Sequence, residues 1–313
     1  MPWSPACARG RTTVASGSSI TSSRTSTSSS TSEPPPDRLT GLVRLVHPFP
    51  SILDGVVVGA VALVAGGRPP DALRLALAMI ALQFAIGALN DIVDAPADIG
   101  RLPPKPIASG AVSMRQGRMV VAVAVLAGLG LAATTSVGVV GLAALVLAVG
   151  GAYDLRAKGT AWSWLPFAVG IPLLPVFGWY GVSGSLPAFF GALLPMAILA
   201  GAALAIANAS ADIELDLAAG RRSAATRLGP TAAWQLQAML WVVVGAVATG
   251  WLARAGSAAP WIIAVGASAI ALVAIVWLAH DGSPARRRRA WELEAVAVAV
   301  ALVAWLGGVL SSA

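Results

Sequence analysis

From Leu39 onward, long apolar runs alternate with short polar breaks, and the pattern persists to residue 310. The breaks mark nine candidate helices at 42–66, 72–92, 117–135, 137–153, 162–181, 187–208, 232–253, 259–279 and 290–310. Each run is close to the ~20 residues that a helix needs to cross a bilayer's hydrocarbon. The runs are continuous, whereas barrel strands read as ~10-residue segments of alternating hydrophobicity, so a barrel is excluded. Only Thr134, Thr135 and Ser136 separate the third and fourth runs, which makes that boundary the least marked.

The N-terminal segment breaks the pattern. Sixteen of the 21 residues at 12–32 are Ser or Thr, the first acidic residue is Glu33, and Pro34, Pro35 and Pro36 close the segment. Such a stretch buries too little apolar surface to offset its ordering entropy. Residues 1–37 are therefore expected to be a disordered tail, and 38–313 one transmembrane domain. Ser and Arg enrichment with few acids also fits an organelle transit peptide, while the lack of an apolar run argues against a cleaved secretory signal.

Composition agrees with the pattern. Hydrophobic residues make up 57% of the 313-residue chain and charged ones 11%, against roughly 25% charged in soluble globular proteins. A soluble enzyme and a disordered chain are both excluded, and lipid leaves only structures that satisfy their own backbone groups. The single cysteine, Cys7, excludes an intrachain disulfide and a cysteine-rich metal site. The excess of Arg over Lys, with abundant Ala and Gly, suggests GC-rich coding and a bacterial cytoplasmic membrane.

The net charge of +7 reads as topology and not as nucleic-acid binding. With the N-terminus cytoplasmic, fifteen basic residues fall inside and three, Arg68, Arg74 and Arg254, outside. That split follows the positive-inside rule. The four arginines at 286–289 are expected to anchor on the membrane surface.

The acids carry the chemistry. They gather at the ends of two expected spans on the cytoplasmic side: Asn90, Asp91, Asp94 and Asp98 in ALNDIVDAPADIG, and Asn208, Asp212, Glu214 and Asp216 in ANASADIELDLAAGRR. On a helix, Asp91, Asp94 and Asp98 share one face, as do Asp212 and Asp216. Pro96 interrupts the first helix and sets Asp98 on a following loop. Like charges this close repel unless a cation neutralises them. Oxygen ligands without nearby His or Cys suit Mg²⁺, which binds through one or two carboxylates plus substrate phosphates. A diphosphate bridging two such sites is the natural ligand.

NDIVDAPAD resembles the NDxxDxxxD motif of the UbiA superfamily of membrane prenyltransferases, and DIELDLAAGRRSAATRLG resembles their second acidic motif. PKPIASG at 104–110 and YDLRAKGT at 153–160 resemble the segments that follow the first motif and the fourth span. The resemblance implies nine transmembrane helices around a central cavity, two Mg²⁺ ions, and transfer of an isoprenoid from a prenyl diphosphate to a small lipophilic or aromatic acceptor such as a quinone precursor. Carried over by position, Asn90, Asp91, Asp94 and Asp98 form one metal and diphosphate site, and Asp212 and Asp216, with Asn208, the other. Two departures are that Ala211 and Leu217 stand where many members have Arg, and that the first loop reads RLPPKP.

Cleaving an allylic C–O bond separates a carbocation from diphosphate, so charge stabilisation of the leaving group is the main demand. Lys105, Lys158, Arg156 and Arg222 are the candidates to complete the diphosphate shell, with Lys158 foremost; each also serves as a topology determinant or a lipid-headgroup contact. Tyr153 orients a phosphate or shields the cation with its ring, or acts as an interfacial anchor. Asp54, costly in hydrocarbon, is expected to face the cavity. His47 precedes the first span in a region that in resembling enzymes helps form the acceptor side, but a structural or headgroup role is favoured; Trp162, Trp164, Trp179, Trp251 and Trp261 are expected in an interfacial belt. Membrane lipids are expected contacts; no nucleic acid or obligatory protein partner is. A cation transporter and another transfer on the same scaffold, to a phosphoribosyl or glycerol-phosphate group, are the alternatives. A CDP-alcohol phosphotransferase lacks its DGxxAR opening here.

Overall fold

A computed structural model describes residues 36–100 and 103–312. Among them the chain is helical throughout: α1 (Arg38–Leu45), α2 (Pro48–Val64), α3 (Pro69–Asp94), α4 (Met114–Ala133), α5 (Val137–Ala152), α6 (Leu165–Ser183), α7 (Phe190–Ala211), α8 (Ile213–Ala218), α9 (Ala224–Leu228), α10 (Pro230–Arg254), α11 (Ala259–Ala279) and α12 (Pro284–Ser311). A π-helical turn, Tyr153–Ala157, continues α5. Among the described residues eight helices are long and apolar enough to cross a membrane, and a ninth span results if α1 and α2 are taken together. The tail expected at 1–37 lies outside the described residues except for Pro36 and Asp37.

Helix starts follow local chemistry. Asp37 accepts the Thr40 backbone N–H at 3.0 Å, which satisfies an orphan donor of the first turn and holds the Asp37 carboxyl below its ordinary range. Ser113 and Gln116 form a reciprocal capping box on α4, and Ser136 caps α5. The three polar residues between α4 and α5 are thus a cap and a turn. Proline occupies the first turn of α2, α3, α6, α10, α11 and α12, where its missing N–H has no intrahelical partner to lose.

One expected span is broken. The run at 42–66 divides at Val46 and His47, and α1 and α2 meet at 45°. Pro48 disfavours a helical residue before it, and His47 takes the left-handed conformation, with φ of 48°. Gly87 of α3 receives this turn: a Cβ there would lie 3.1 Å from the Val46 carbonyl carbon and 3.2 Å from the His47 Cβ.

α3 packs between α2 and α4, while α7, the most buried of the spans, packs against α6, α10 and α12. Val58, Val61, Met79, Leu82 and Phe177 are fully buried in the largest cluster. Small residues allow close backbone approach in such bundles. At Gly201 a Cβ would sit 2.4 Å from the Phe167 carbonyl oxygen, so only glycine fits where α7 crosses α6. Trp179 does not join an interfacial belt: it is buried and meets Phe189 and Phe190 edge-on at 5.1 and 5.7 Å. Trp162 and Trp261 are exposed.

Candidate active site

Both acidic motifs open into one cavity of about 680 Å³ at one end of the bundle. Its wall takes residues from the ends of α3, α5 and α7, from the starts of α2 and α12, and from three loops. Asn90, Asp91, Asp94, Asp54, Lys105, Tyr153, Lys158, Asn208, Asp212 and Asp216 all line it.

The first motif sits on the last turn of α3. Asp91 is 2% exposed; its Oδ1 accepts from Lys105 Nζ at 2.6 Å and lies 3.1 Å from His47 Nε2. Asp94, one turn on, pairs with Lys158. The two lysines reach the carboxylates from different loops. Lys105 lies in a turn closed by Ser109 N–H donating to its carbonyl at 2.9 Å and by Val112 N–H donating to Pro106 O at 3.0 Å. Lys158 follows the π-helical turn, where its backbone N–H reaches back five residues to Tyr153 O at 2.9 Å. This wider winding displaces the end of α5 from α-helical register, a feature frequent at functional sites. Arg222 N–H donating to Gly159 O at 3.0 Å ties the loop to the segment after α8.

α3 ends at Asp94, so Asp98 is not carried on the same helical face as Asp91 and Asp94. Ala97 and Asp98 instead close a turn onto the Asp94 carbonyl at 2.8 and 3.0 Å. Asp98 is buried but stands outside the cavity wall. The prolyl break at Pro96 is the cause.

The second motif straddles a joint. α7 stops at Ala211, and Asp212 stands between it and the short α8. The i to i+4 spacing survives, because Asp216 N–H donates to Asp212 O at 2.9 Å. Arg288 Nη2 of α12 donates to Asp212 Oδ1 at 3.2 Å, and Arg221 Nη1 lies 3.6 Å from Asp216 Oδ1. Arg156 and Arg222, expected at the diphosphate, are exposed and outside the wall. The π-helical turn leaves Arg156 facing away, and the neighbour of Arg222, Arg221, is the cavity residue.

Behind the carboxylates, Asn90 Nδ2 donates to Asp154 Oδ1 at 2.7 Å, so these two polar residues fasten α3 to the π-helical turn. The Tyr153 ring meets Phe167 edge-on at 5.4 Å, with Lys158 Nζ 6.0 Å from its centroid. Deeper in, Asp54 Oδ2 accepts from Gln83 Nε2 at 2.6 Å.

A second cavity of about 170 Å³ continues from the first and is almost wholly apolar. Phe49, Pro50, Asp54, Phe167, Ile171, Leu174 and Trp291 line both. It runs along α2, α6, α7, α10, α11 and α12 to Val265 and Trp305.

Among the described residues no three His, Cys, Asp or Glu side chains converge as a prepared metal cage. Mg²⁺ needs none: it binds through one or two carboxylates and completes its shell with water and phosphate. Asp91 Oδ2 fits that role, because it is buried without a hydrogen-bond partner among the described residues while Oδ1 carries the contacts to Lys105 and His47. The all-oxygen donor set fits a hard cation.

Arg221 and Arg288 were not singled out for this site by their sequence context, and His47, favoured for a structural or headgroup role, lies at Asp91 in the cavity wall. Arg288, Trp291, Glu292 and Ala295 share a helical face at spacings of three and four, and the first three line the polar cavity.

The family model for the UbiA prenyltransferase family matches residues 55–309. The chain is 30% identical over 254 residues to chlorophyll synthase of Arabidopsis thaliana, covering 73% of this chain and 61% of that protein. It is 38% identical over 128 residues to protoheme IX farnesyltransferase of Oleidesulfovibrio alaskensis, covering 40% and 45%. The matches therefore span less than two thirds of these curated relatives. Among solved structures, the fold is similar to a UbiA homologue of Archaeoglobus fulgidus bound to GPP and Mg²⁺, with a TM-score of 0.66 and 17% identity, covering 84% and 99% of the two chains. A homologue from Aeropyrum pernix gives 0.65 at 21% identity, covering 81% and 96%.

Proposed function

Because the chain belongs to the UbiA prenyltransferase family, we propose that it transfers an isoprenyl group from a prenyl diphosphate to a small lipophilic or aromatic acceptor within a membrane. The observation that carries this reading is the junction of the two cavities. A cavity rich in carboxylates and cations shares seven lining residues with an apolar one, as an amphiphile with a diphosphate head and a hydrocarbon tail requires.

The head would lie between the two acidic motifs. Mg²⁺, when bound, supplies Lewis-acid stabilisation of the leaving diphosphate. Asp91, Asp94, Asp212 and Asp216 would hold it, with Asn208 beside the second pair. Lys105 and Lys158, which neutralise Asp91 and Asp94 here, would turn their ammonium groups to phosphate oxygens once a metal takes the carboxylates. Charge-assisted hydrogen bonds of this kind are about twice as strong as neutral ones. Asn90 positions Asp154, and Tyr153 presents its ring beside Lys158, where it would shelter positive charge developing on the allylic carbon.

The tail would occupy the apolar channel. Asp54 and Gln83 mark the boundary between its two regimes and would orient a polar group of the acceptor. Two further parts of the reading are the orientation, with the motifs facing the cytoplasm of a bacterial cell, and the division into a tail at 1–37 and a catalytic domain at 38–313. A cation transporter fits less well, since the acids sit at one end of the bundle and the path beyond them is apolar.

The test is turnover by purified protein with a panel of prenyl diphosphates and Mg²⁺, following diphosphate release and prenylated products by mass spectrometry. Wild type should consume at least one donor, and Asp91→Ala and Asp212→Ala should not. Equal turnover by wild type and both variants would overturn the proposal.

A further inference from the structure

The four arginines at 286–289 have unlike roles once α12 is folded. Arg287 is 14% exposed at its side chain and fully engaged. Its Nε donates to Ser210 O at 2.8 Å, its Nη1 to Gly282 O at 2.6 Å, and its Nη2 to both Glu214 oxygens at 2.5 Å. It clamps the start of α12 onto the joint between α7 and α8. Arg286 and Arg289 are exposed and outside the cavity wall.

Arg288 differs from all three. It lines the polar cavity, its side chain is 54% exposed, and among the described residues it makes one side-chain hydrogen bond, to Asp212 Oδ1 at 3.2 Å. The positions flanking the second motif, Ala211 and Leu217, carry no charge. Among the described residues, a cation that meets Asp212 comes from a helix that begins more than 70 residues later.

We infer that Arg288 is a diphosphate-binding residue, held over the second acidic motif by Arg287 and engaged when a divalent cation takes Asp212. The inference rests on the reading of the cavity as a prenyl diphosphate site. A planar guanidinium offers five donors in a fixed fork that matches phosphate oxygens. Arg288 pairs with the Asp212 carboxylate, and with metal and diphosphate present it would exchange that acceptor for phosphate. An anionic lipid headgroup offers the same oxygens, so the two sources have to be separated.

The experiment titrates inorganic diphosphate with Mg²⁺ into the full chain in zwitterionic nanodiscs by calorimetry. It compares wild type with Arg288→Ala, Arg288→Lys and Arg289→Ala. Arg288→Ala should weaken binding about tenfold, equivalent to ~1.4 kcal/mol, with Arg288→Lys intermediate and Arg289→Ala unchanged. In turnover, Arg288→Ala should raise KM for the donor. Wild-type affinity in Arg288→Ala, or an effect that appears only in anionic nanodiscs, would overturn the inference. Failure of wild type itself to bind diphosphate with Mg²⁺ would instead remove the underlying reading. Arg287→Ala, expected to lower thermal stability as well as affinity, separates the clamp from the ligand.

Discussion

Lys105 Nζ lies 2.6 Å from Asp91 Oδ1, joining a loop lysine to a carboxylate that is 2% exposed. The pair keeps a buried negative charge compensated while leaving Asp91 Oδ2 without a hydrogen-bond partner. Removing one member of a buried hydrogen-bonded pair typically costs about 1–3 kcal/mol. Lys105→Ala should therefore lower the unfolding temperature of the metal-free protein in detergent. Mg²⁺ with diphosphate should recover much of the loss, since a ligand that binds only the folded state adds stability by mass action. A melting curve equal to that of wild type in both conditions would show that the contact carries no net stability.

Chelation gives a second expectation. Treatment with a strong chelator should abolish turnover, and Mg²⁺ should restore it better than Ca²⁺, which prefers six to eight oxygen ligands at longer distances. Activity that survives chelation would disconnect the carboxylates from metal.

The channel floor offers a test of donor length. Along α7 the apolar lining runs from Leu204 to Leu193, about 16 Å at the helical rise. An isoprene unit adds four bonds of ~1.5 Å, or roughly 5 Å when extended. Three to four units then reach Trp305, which is 2% exposed and packs against Trp251 at 5.0 Å. Trp305→Leu should shift preference toward a donor about one unit longer, measured as the ratio of kcat/KM across a chain-length series. Trp305→Ala should do the same at a larger stability cost, about 3–5 kcal/mol. An unchanged ratio in both would place the tail elsewhere.

At Gly201 the prediction concerns folding. A leucine would drive its Cβ into the Phe167 carbonyl, so Gly201→Leu should fail to give monodisperse protein. Gly191→Ala on the same helix, where a Cβ meets nothing within 4 Å, should be neutral or stabilising by up to ~1 kcal/mol. Size-exclusion profiles and melting temperatures distinguish the two.

Periodicity and charge located the spans and both acidic motifs because lipid penalises polar groups strongly enough to write itself into the sequence. Asp91, Asp94, Asp212 and Asp216 were legible for that reason, whereas Lys105 and Lys158 were picked out by the resemblance of their loops to family segments. What escaped depends on local backbone geometry. Nothing in the run at 42–66 marks the left-handed His47 except the proline after it and the distant Gly87 that accepts the turn. The choice of Arg221 over Arg222 rests on how the segment after α8 meets Gly159. The loop position of Asp98 was legible from Pro96, but its place outside the cavity wall was not. The helical face of Arg288, Trp291 and Glu292 was present in the sequence, but four adjacent arginines read first as a surface anchor.

The seven side chains shared by the two cavities make the transition from polar to apolar surroundings abrupt. On the proposed reaction, bond cleavage would occur at that boundary, and the two products would part company by phase. Diphosphate would leave through the wide polar mouth into water, and the prenylated product would be retained by the hydrocarbon around it. Re-formation of the donor would then require two molecules to return from different solvents to one site. The architecture would make transfer effectively one-directional through the partition of its products.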